Sequence, residues 1–452
     1  MNVEQISRVY FAGIGGIGMS ALARFFRNRG AQVAGYDKTE TPLTRSLQQE
    51  GMQIHYTDDP ALLDKETQLV VYTPALPPDH KELSWYREQG YPVYKRSDVL
   101  QWITESFFAI TVAGTHGKTT ISTMTAFLLR DTGIGCNAFL GGLSVNYNIN
   151  YWSSDNPVAV IEADEYDRSF LKLHPDIAVL TAMDADHLDI YGTVEELEAA
   201  FIQYTKHIKQ GGTLIYKHGL PRTADLAGSR KISYSLQNDA ADAFAANITQ
   251  RDGGYVFDLI SPFGNISQIR LNIGGMHNVE NAIVALLIAQ MQDVPSHEIK
   301  DALANFAGVK RRFEYLVKNE RVVYIDDYAH HPEELASLIK SAKRLFPKRK
   351  CVVAFQPHLY SRTRDLADGF AQSLDLADQV ILLDIYPARE LPIEGVTSEM
   401  ITTRMENKAH TILSKEGLLE LVRSAPLELL ITAGAGDIDK LTEPIKEILE
   451  KK

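Results

Sequence analysis

Short apolar runs alternate with amphipathic stretches along nearly the whole chain, a pattern that predicts strand–helix–strand units. Ile6 to Ala12, Gln32 to Tyr36, Leu69 to Tyr72 and Pro92 to Tyr94 read as strands, with a helix over Met19 to Arg29. Phe107 to Val112 reads as a buried strand, followed by a helix through Met124, Leu128 and Leu129. Strands at Pro157 to Glu162 and Ile177 to Ala182, a helix at Val194 to Ile208 and a strand at Thr213 to Tyr216 continue the alternation. Residues 231–273 read as β-rich, with a turn at Asp252-Gly253-Gly254, before an apolar helix from Ile283 to Met291. A helix at Glu333 to Leu345 and strands at Cys351 to Phe355, Gln379 to Leu383 and Leu427 to Thr432 complete a third such block. The expected fold is α/β with three domains. These are a Rossmann-like N-terminal domain over residues 1–104, a central P-loop ATPase-like domain over 105–310, and a Rossmann-like C-terminal domain over 311–452. The central domain is expected to hold a mostly parallel sheet with extra β-strands.

Composition narrows the function classes. With 452 residues, 45% hydrophobic and 23% charged, the chain has the make-up of an ordinary multi-domain globular protein. A net charge of −12 disfavours nucleic acid and anionic membranes as partners, while clefts can still hold small polyanions. Two distant cysteines, Cys136 and Cys351, suit a reducing compartment. The first residues show no basic-then-apolar leader, and no apolar run approaches 18 residues, so a cytoplasmic location is expected.

Two glycine loops carry the chemistry. Gly114-Thr115-His116-Gly117-Lys118-Thr119-Thr120 sits between a strand and a helix, where backbone N–H groups and the helix N-terminus can hold phosphates. Lys118 would reach the β/γ-phosphates, and the Thr119 hydroxyl would hold Mg²⁺. The earlier loop, Gly13-Ile14-Gly15-Gly16-Ile17-Gly18, is a G-x-G-x-x-G turn with Asp37 about twenty residues on. It fits NAD, and it fits any other diphosphate, such as that of a UDP-sugar, equally well. Strand ends then deliver acids: Glu162-Ala163-Asp164-Glu165, and Asp184-Ala185-Asp186-His187-Leu188-Asp189. Such clusters serve as solvated turns or helix caps, or bind a divalent ion; His187 would make the ligand set more Mn²⁺-like. His277, Asn278 and Asn281 open the helix that ends at Met291, either capping it or recognising adenine.

The third block gathers cations and imidazoles in an acidic chain. One of Arg311 and Arg312 could neutralise charge developing on a transferred phosphoryl group, Arg362 and His358 could clamp a carboxylate, and His330 could take or orient an amine proton.

Taken together, these motifs resemble the Mur ligases of bacterial cell-wall synthesis, in the branch that adds alanine. The residues carrying the resemblance run from Gly13-Ile-Gly-Gly-Ile-Gly-Met-Ser-Ala-Leu-Ala23 through Gly114 to Thr120 and Glu162-Ala-Asp-Glu-Tyr-Asp167 to Asp186-His-Leu-Asp189. They continue through His277-Asn-Val-Glu-Asn-Ala282, Arg311-Arg-Phe-Glu314 and Asp326-Asp-Tyr-Ala-His-His-Pro332 to Gln356-Pro-His-Leu-Tyr-Ser-Arg-Thr363. The resemblance implies three domains binding, in order, a UDP-sugar, ATP and an amino acid. It implies ATP-driven formation of an acyl phosphate on the lactyl carboxylate of UDP-N-acetylmuramate, followed by attack of the L-alanine amine.

Residue by residue, the resemblance places Gly13, Gly15, Gly16, Gly18, Met19, Ser20 and Asp37 at the UDP-sugar. It places Gly114 to Thr120, His277, Asn278, Asn281, Arg312 and Asp327 at ATP, with Arg312 facing the γ-phosphate. Thr119, Glu162 and His187 would hold one or two Mg²⁺ ions, for which Mn²⁺ could substitute. His330, His358 and Arg362 would surround the alanine, and Lys118, Glu162, His187 and His330 form the catalytic set. Leu359, Ala329 and Tyr166 replace an arginine, a glycine and a serine common in the family, so the alanine carboxylate would rest on Arg362. A monomer or weak homodimer is expected.

Three other readings compete. A murein peptide ligase would join a tripeptide to the same sugar nucleotide, and an NAD-dependent oxidoreductase would use the first glycine loop. An ATP-gated binding protein would release no phosphate.

Overall fold

The computed structural model describes residues 3–185, 188–388 and 390–452. Three sheets carry the chain, matching the three α/β blocks expected from its sequence. They fall in two compact units. One comprises the residues up to Asn247 with Phe257–Ile269 and Glu280–Phe306, and the other comprises Ile248–Val256, Arg270–Val279 and Ala307–Lys452.

The first sheet is five-stranded and parallel, in the order Gln53–His55, Gln32–Tyr36, Arg8–Ala12, Leu69–Tyr72, Val93–Lys95. The order reverses at Arg8–Ala12, so the loop after that strand lies at the switch point where doubly wound sheets bind ligands. The helix Ile17–Asn28 covers this sheet with Leu22, Phe25 and Phe26, all buried. Phe25 also reaches the central sheet, its ring 5.4 Å from Phe139 and 6.3 Å from Tyr151. Burying such a ring stabilises by roughly 1.5–3 kcal/mol. Beside it Arg24, nearly buried, pairs with Glu50 at 2.6 Å and donates to Asn150.

The ten-stranded central sheet places Phe108–Ala113 between Ile177–Leu180 and Val158–Glu162, all parallel. Both neighbours therefore end beside the loop that follows Phe108–Ala113. The C-terminal sheet runs Glu314–Lys318, Val323–Asp327, Leu429–Ala433, Cys351–Phe355, Gln379–Leu382, His410–Ile412, and only its first strand is antiparallel.

Elements with clean periodicity form where expected. The helix ahead of the apolar run Ile283 to Met291 starts at Met276, so that His277, Asn278 and Asn281 open it as expected; Gly275 (φ 86°) turns the chain there and Asn278 Nδ2 donates to the Gly274 carbonyl at 2.7 Å. Helices also form at Pro42–Gln49, Lys81–Glu88, Arg96–Ser106 and Ser296–Asn305, which carry few apolar residues each and are marked mainly by local start signals such as Thr41-Pro42. Among the described residues, no helix is long and apolar enough to cross a membrane.

Candidate functional site

The central phosphate loop is built by two glycines that tolerate no side chain. Gly114 has φ 119°, and a Cβ there would lie 2.2 Å from Thr181 Oγ1; Gly117 has φ 82°, with Asn281 Oδ1 2.9 Å from where its Cβ would stand. The helix Lys118–Asp131 begins directly after Gly117 with no side-chain cap, so its first-turn N–H groups are open to an anion. Thr119 Oγ1 donates to Glu162 Oε1 at 3.0 Å, and the other Glu162 oxygen accepts the Gly141 N–H at 3.1 Å. Lys118 Nζ donates to the Gly114 carbonyl and to Glu165 Oε1, both at 2.8 Å. Burial pushes the Glu165 carboxyl up, and the Lys118 ammonium opposes that rise. Thr115 Oγ1 accepts the Asp184 N–H at 3.3 Å, Thr120 is buried behind the loop, and the His116 imidazole is exposed, 3.6 Å from Asp184. Asp186 and His187 lie outside the described residues.

The N-terminal loop follows the same design. Gly13 has φ 86°, and the Gly13 and Ile14 N–H groups donate to the Tyr36 carbonyl at 2.8 and 2.9 Å. The helix Ile17–Asn28 starts on Gly16, again without a side-chain cap. Asp37 accepts the Gly15 N–H at 2.7 Å, so its carboxylate braces the loop. Ser20 is buried, donating to the Ile17 carbonyl and accepting from Asn150, which makes it a support for the helix start.

Arg96 was not anticipated from the sequence. It lies against Gly18, where an added Cβ would be 2.7 Å from its Nη1. Its only signal was its place just after a strand. A cleft of about 280 Å³ is lined by Gly16, Gly18, Met19, Thr73 and Arg96 on one side and by Gly141, Glu162 and Asp164 on the other. The diphosphate-type loop and the carboxylate that holds Thr119 thus face one cavity, within one compact unit.

The second unit carries the remaining cations and imidazoles. Arg311 (φ 60°) and Phe313 (φ 50°) are both left-handed and frame Arg312. Arg311 is committed to structure: it pairs with buried Asp326 at 3.3 Å and donates to the Gly434 carbonyl. Arg312 is exposed, 5.4 Å from the Tyr328 ring centroid. Asp327 accepts the Phe313 and Ala329 N–H groups, both at 2.7 Å, pinning that turn with both oxygens. His277 is exposed near the start of the helix Met276–Met291, whereas Asn278 is buried and bonded to Gly274.

His330, His358 and Arg362 come together. The two imidazole rings are 6.5 Å apart, and Arg362 Nη1 is 3.4 Å from His358 Nδ1. Glu334 accepts the His330 main-chain N–H at 3.0 Å and lies 3.5 Å from His330 Nδ1, which bonds the Tyr328 carbonyl at 3.1 Å. Tyr386 stacks on His358 at 5.8 Å. Burial holds both imidazoles below the usual histidine range, with Arg362 adding to the effect, so both are neutral at neutral pH. A neutral base beside a half-buried guanidinium is suited to a zwitterion, the guanidinium taking the carboxylate and the imidazole the amine. Leu359 adopts φ 70° at the head of the Arg362 helix, a backbone region rare for leucine.

Family models match three consecutive segments: the Mur ligase family catalytic domain over residues 8–108, the Mur ligase middle domain over 112–289, and the Mur ligase glutamate ligase domain over 311–436. A UDP-N-acetylmuramate–L-alanine ligase from Cytophaga hutchinsonii is 47% identical, covering 100% of this chain and 99% of its own. One from Phocaeicola vulgatus is also 47% identical, with 100% of both chains covered. Among solved structures, a UDP-N-acetylmuramate–alanine ligase from Thermotoga maritima superposes with a TM-score of 0.83 at 26% identity, covering 98% of this chain and 99% of that one.

Proposed function

The chain belongs to the Mur ligase family, and from that premise we propose that it is the ATP-dependent ligase joining L-alanine to the lactyl carboxylate of UDP-N-acetylmuramate, a step in making peptidoglycan precursors. The observation that carries the reading is the cleft where a diphosphate-type loop faces Glu162, whose carboxylate is already bonded to Thr119 of the phosphate loop. A sugar diphosphate bound at one wall brings its acid toward the triphosphate end of the other. The nicotinamide reading leaves Lys118, Thr119 and Glu162 without a part, and it is dropped.

In this reading a lactyl carboxylate oxygen attacks the γ-phosphorus of ATP, ADP departs, and an acyl phosphate forms. The alanine amine attacks its carbonyl carbon, and the tetrahedral intermediate expels phosphate to leave the amide. Lys118 and Arg312 neutralise charge on the transferred group, which is the main catalytic need of phosphoryl transfer. Arg362 binds the alanine carboxylate, and neutral His330, its Nδ1 held by the Tyr328 carbonyl, takes the amine proton at the other ring nitrogen. His358 packs beside Arg362, while His277, Asn278 and Asn281 serve the adenine and Asp327 the ribose side. Gly13, Gly15, Gly16, Gly18, Met19 and Ser20 shape the UDP-sugar site, braced by Asp37 and joined by Arg96.

Thr119 and Glu162 offer hard oxygen donors 3.0 Å apart, a set that fits Mg²⁺. We place one Mg²⁺ there and a second at His187, with Mn²⁺ able to replace them. Such an ion supplies charge neutralisation at the phosphates. Domain limits at 104/105 and 310/311, a cytoplasmic location and a monomer or weak dimer complete the reading.

The test is phosphate release from MgATP and UDP-N-acetylmuramate across a panel of amino acids and the tripeptide used by murein peptide ligases. Release should depend on L-alanine, with glycine and L-serine weaker; release with the tripeptide alone, or with none of the panel, refutes the assignment.

A further inference from the structure

The phosphate loop holds its two working side chains against two different carboxylates. Thr119 bonds Glu162, the last residue of the strand Val158–Glu162; Lys118 bonds Glu165, three residues further on. The first pairing suits a shared cation. The second cannot serve that purpose, because it already joins opposite charges. Lys118 Nζ lies 2.8 Å from Glu165 Oε1, with side-chain exposures of 13% and 0%, so little solvent screens the pair. The main chain at Glu165 is fixed as well: its carbonyl accepts the Tyr191 hydroxyl at 2.6 Å and the Arg168 N–H at 3.0 Å. The carboxylate is therefore built in place.

The geometry points to Glu165 as an ionic latch on Lys118, a positioning residue that competes with the terminal phosphates of the nucleotide for the ammonium. The inference rests on the nucleotide reading of the loop given above. An incoming polyphosphate meets a lysine already neutralised by a carboxylate at 2.8 Å and has to displace it, so part of its binding free energy is used in opening the pair. In return, Lys118 stays ordered and unavailable to stray anions until a ligand with several phosphate contacts arrives. A purely supporting role for Glu165 predicts the opposite sign, since loss of the support would let Lys118 wander and weaken nucleotide binding.

The experiment measures the Kd of a non-hydrolysable ATP analogue with Mg²⁺ by calorimetry, using the full chain. Glu165→Gln keeps an acceptor near Lys118 but removes the charge. Nucleotide binding should tighten by at least about fivefold, the lower end of typical coupling between linked equilibria. Glu165→Asp, which keeps the charge on a shorter arm, should tighten it less and provides the same sign of test if the glutamine variant fails to fold. In a Lys118→Met background the Glu165→Gln exchange should leave Kd unaltered. Weaker or unchanged binding in both Glu165 variants, or an effect that survives loss of Lys118, overturns the latch. A wild-type chain that binds no nucleotide overturns the ligase reading itself, and the latch with it.

Discussion

Replacing Arg362 with alanine tests the amino-acid half of the proposed site. The guanidinium sits half-buried on the short helix Tyr360–Asp365, 3.4 Å from His358. Nearby alternatives are poor: Arg364 is exposed and paired with Asp365 at 2.7 Å, and Leu359 carries no charge. A hydrogen bond to a charged group contributes roughly 1.5–3 kcal/mol, and loss of one such bond is worth about 10- to 150-fold in an equilibrium constant. The KM for L-alanine should rise by that factor, while the KM for ATP and for the sugar nucleotide should move less than about threefold. Arg362→Lys, which keeps the charge but loses the planar fork, should fall between. A second signature is independent of binding strength. Arg362 helps burial hold His358 below the usual imidazole range, so its loss should shift any limb of the pH–rate profile set by His358 to higher pH. The assay is continuous phosphate release with alanine titrated against saturating MgATP and UDP-N-acetylmuramate. Equal rises in the KM for alanine and ATP, or an unchanged alanine KM, would remove Arg362 from the amino-acid site.

Other expectations follow from the same geometry. Lys118→Ala should abolish phosphate release and also lower the unfolding midpoint, because stranding buried Glu165 costs about 3–5 kcal/mol; adding Glu165→Gln should restore thermal stability without restoring turnover. Arg96→Ala should raise the KM for the sugar nucleotide roughly tenfold, as loss of one charge-assisted hydrogen bond does, and leave that for ATP unchanged; steady-state kinetics decide this. Burial raises the Asp326 carboxyl to about 7 in the fold, from an ordinary value of 3.8. Its contribution is therefore fully present below that ordinary value and lost as pH rises through about 7; denaturant titrations should show the decline and its flattening in Asp326→Asn.

The elements legible in the sequence are those whose local pattern carries the full instruction. Phe108–Ala113, then Gly114 and Gly117, then Lys118–Asp131 form as written because only glycine meets the backbone demands of that turn. His330, His358 and Arg362 were legible as chemistry, but only the resemblance put them side by side, since loops after two different strands bring them together. Arg96, Gly141 and Glu334 were not legible as site residues, and Glu165 was legible only as one of a strand-end acid cluster, not as the partner of Lys118. Each acts through a contact made in the folded chain, and none belongs to a spacing that requires its residue type. The residues alone left Arg311 and Arg312 as alternatives and the resemblance pointed to Arg312; in the fold Arg311 is engaged by Asp326 and the Gly434 carbonyl.

On the proposed assignment, the shared cleft also divides the two chemical steps between different residues. On that assignment the acid is activated chiefly by the sugar-diphosphate loop, Glu162 and the phosphate loop of one compact unit, with Arg312 added, and not by the residues assigned to the amine, His330, His358 and Arg362. A mixed anhydride made before its nucleophile arrives is exposed to hydrolysis. The arrangement therefore trades some risk of futile ATP turnover for a carbonyl already primed when alanine docks.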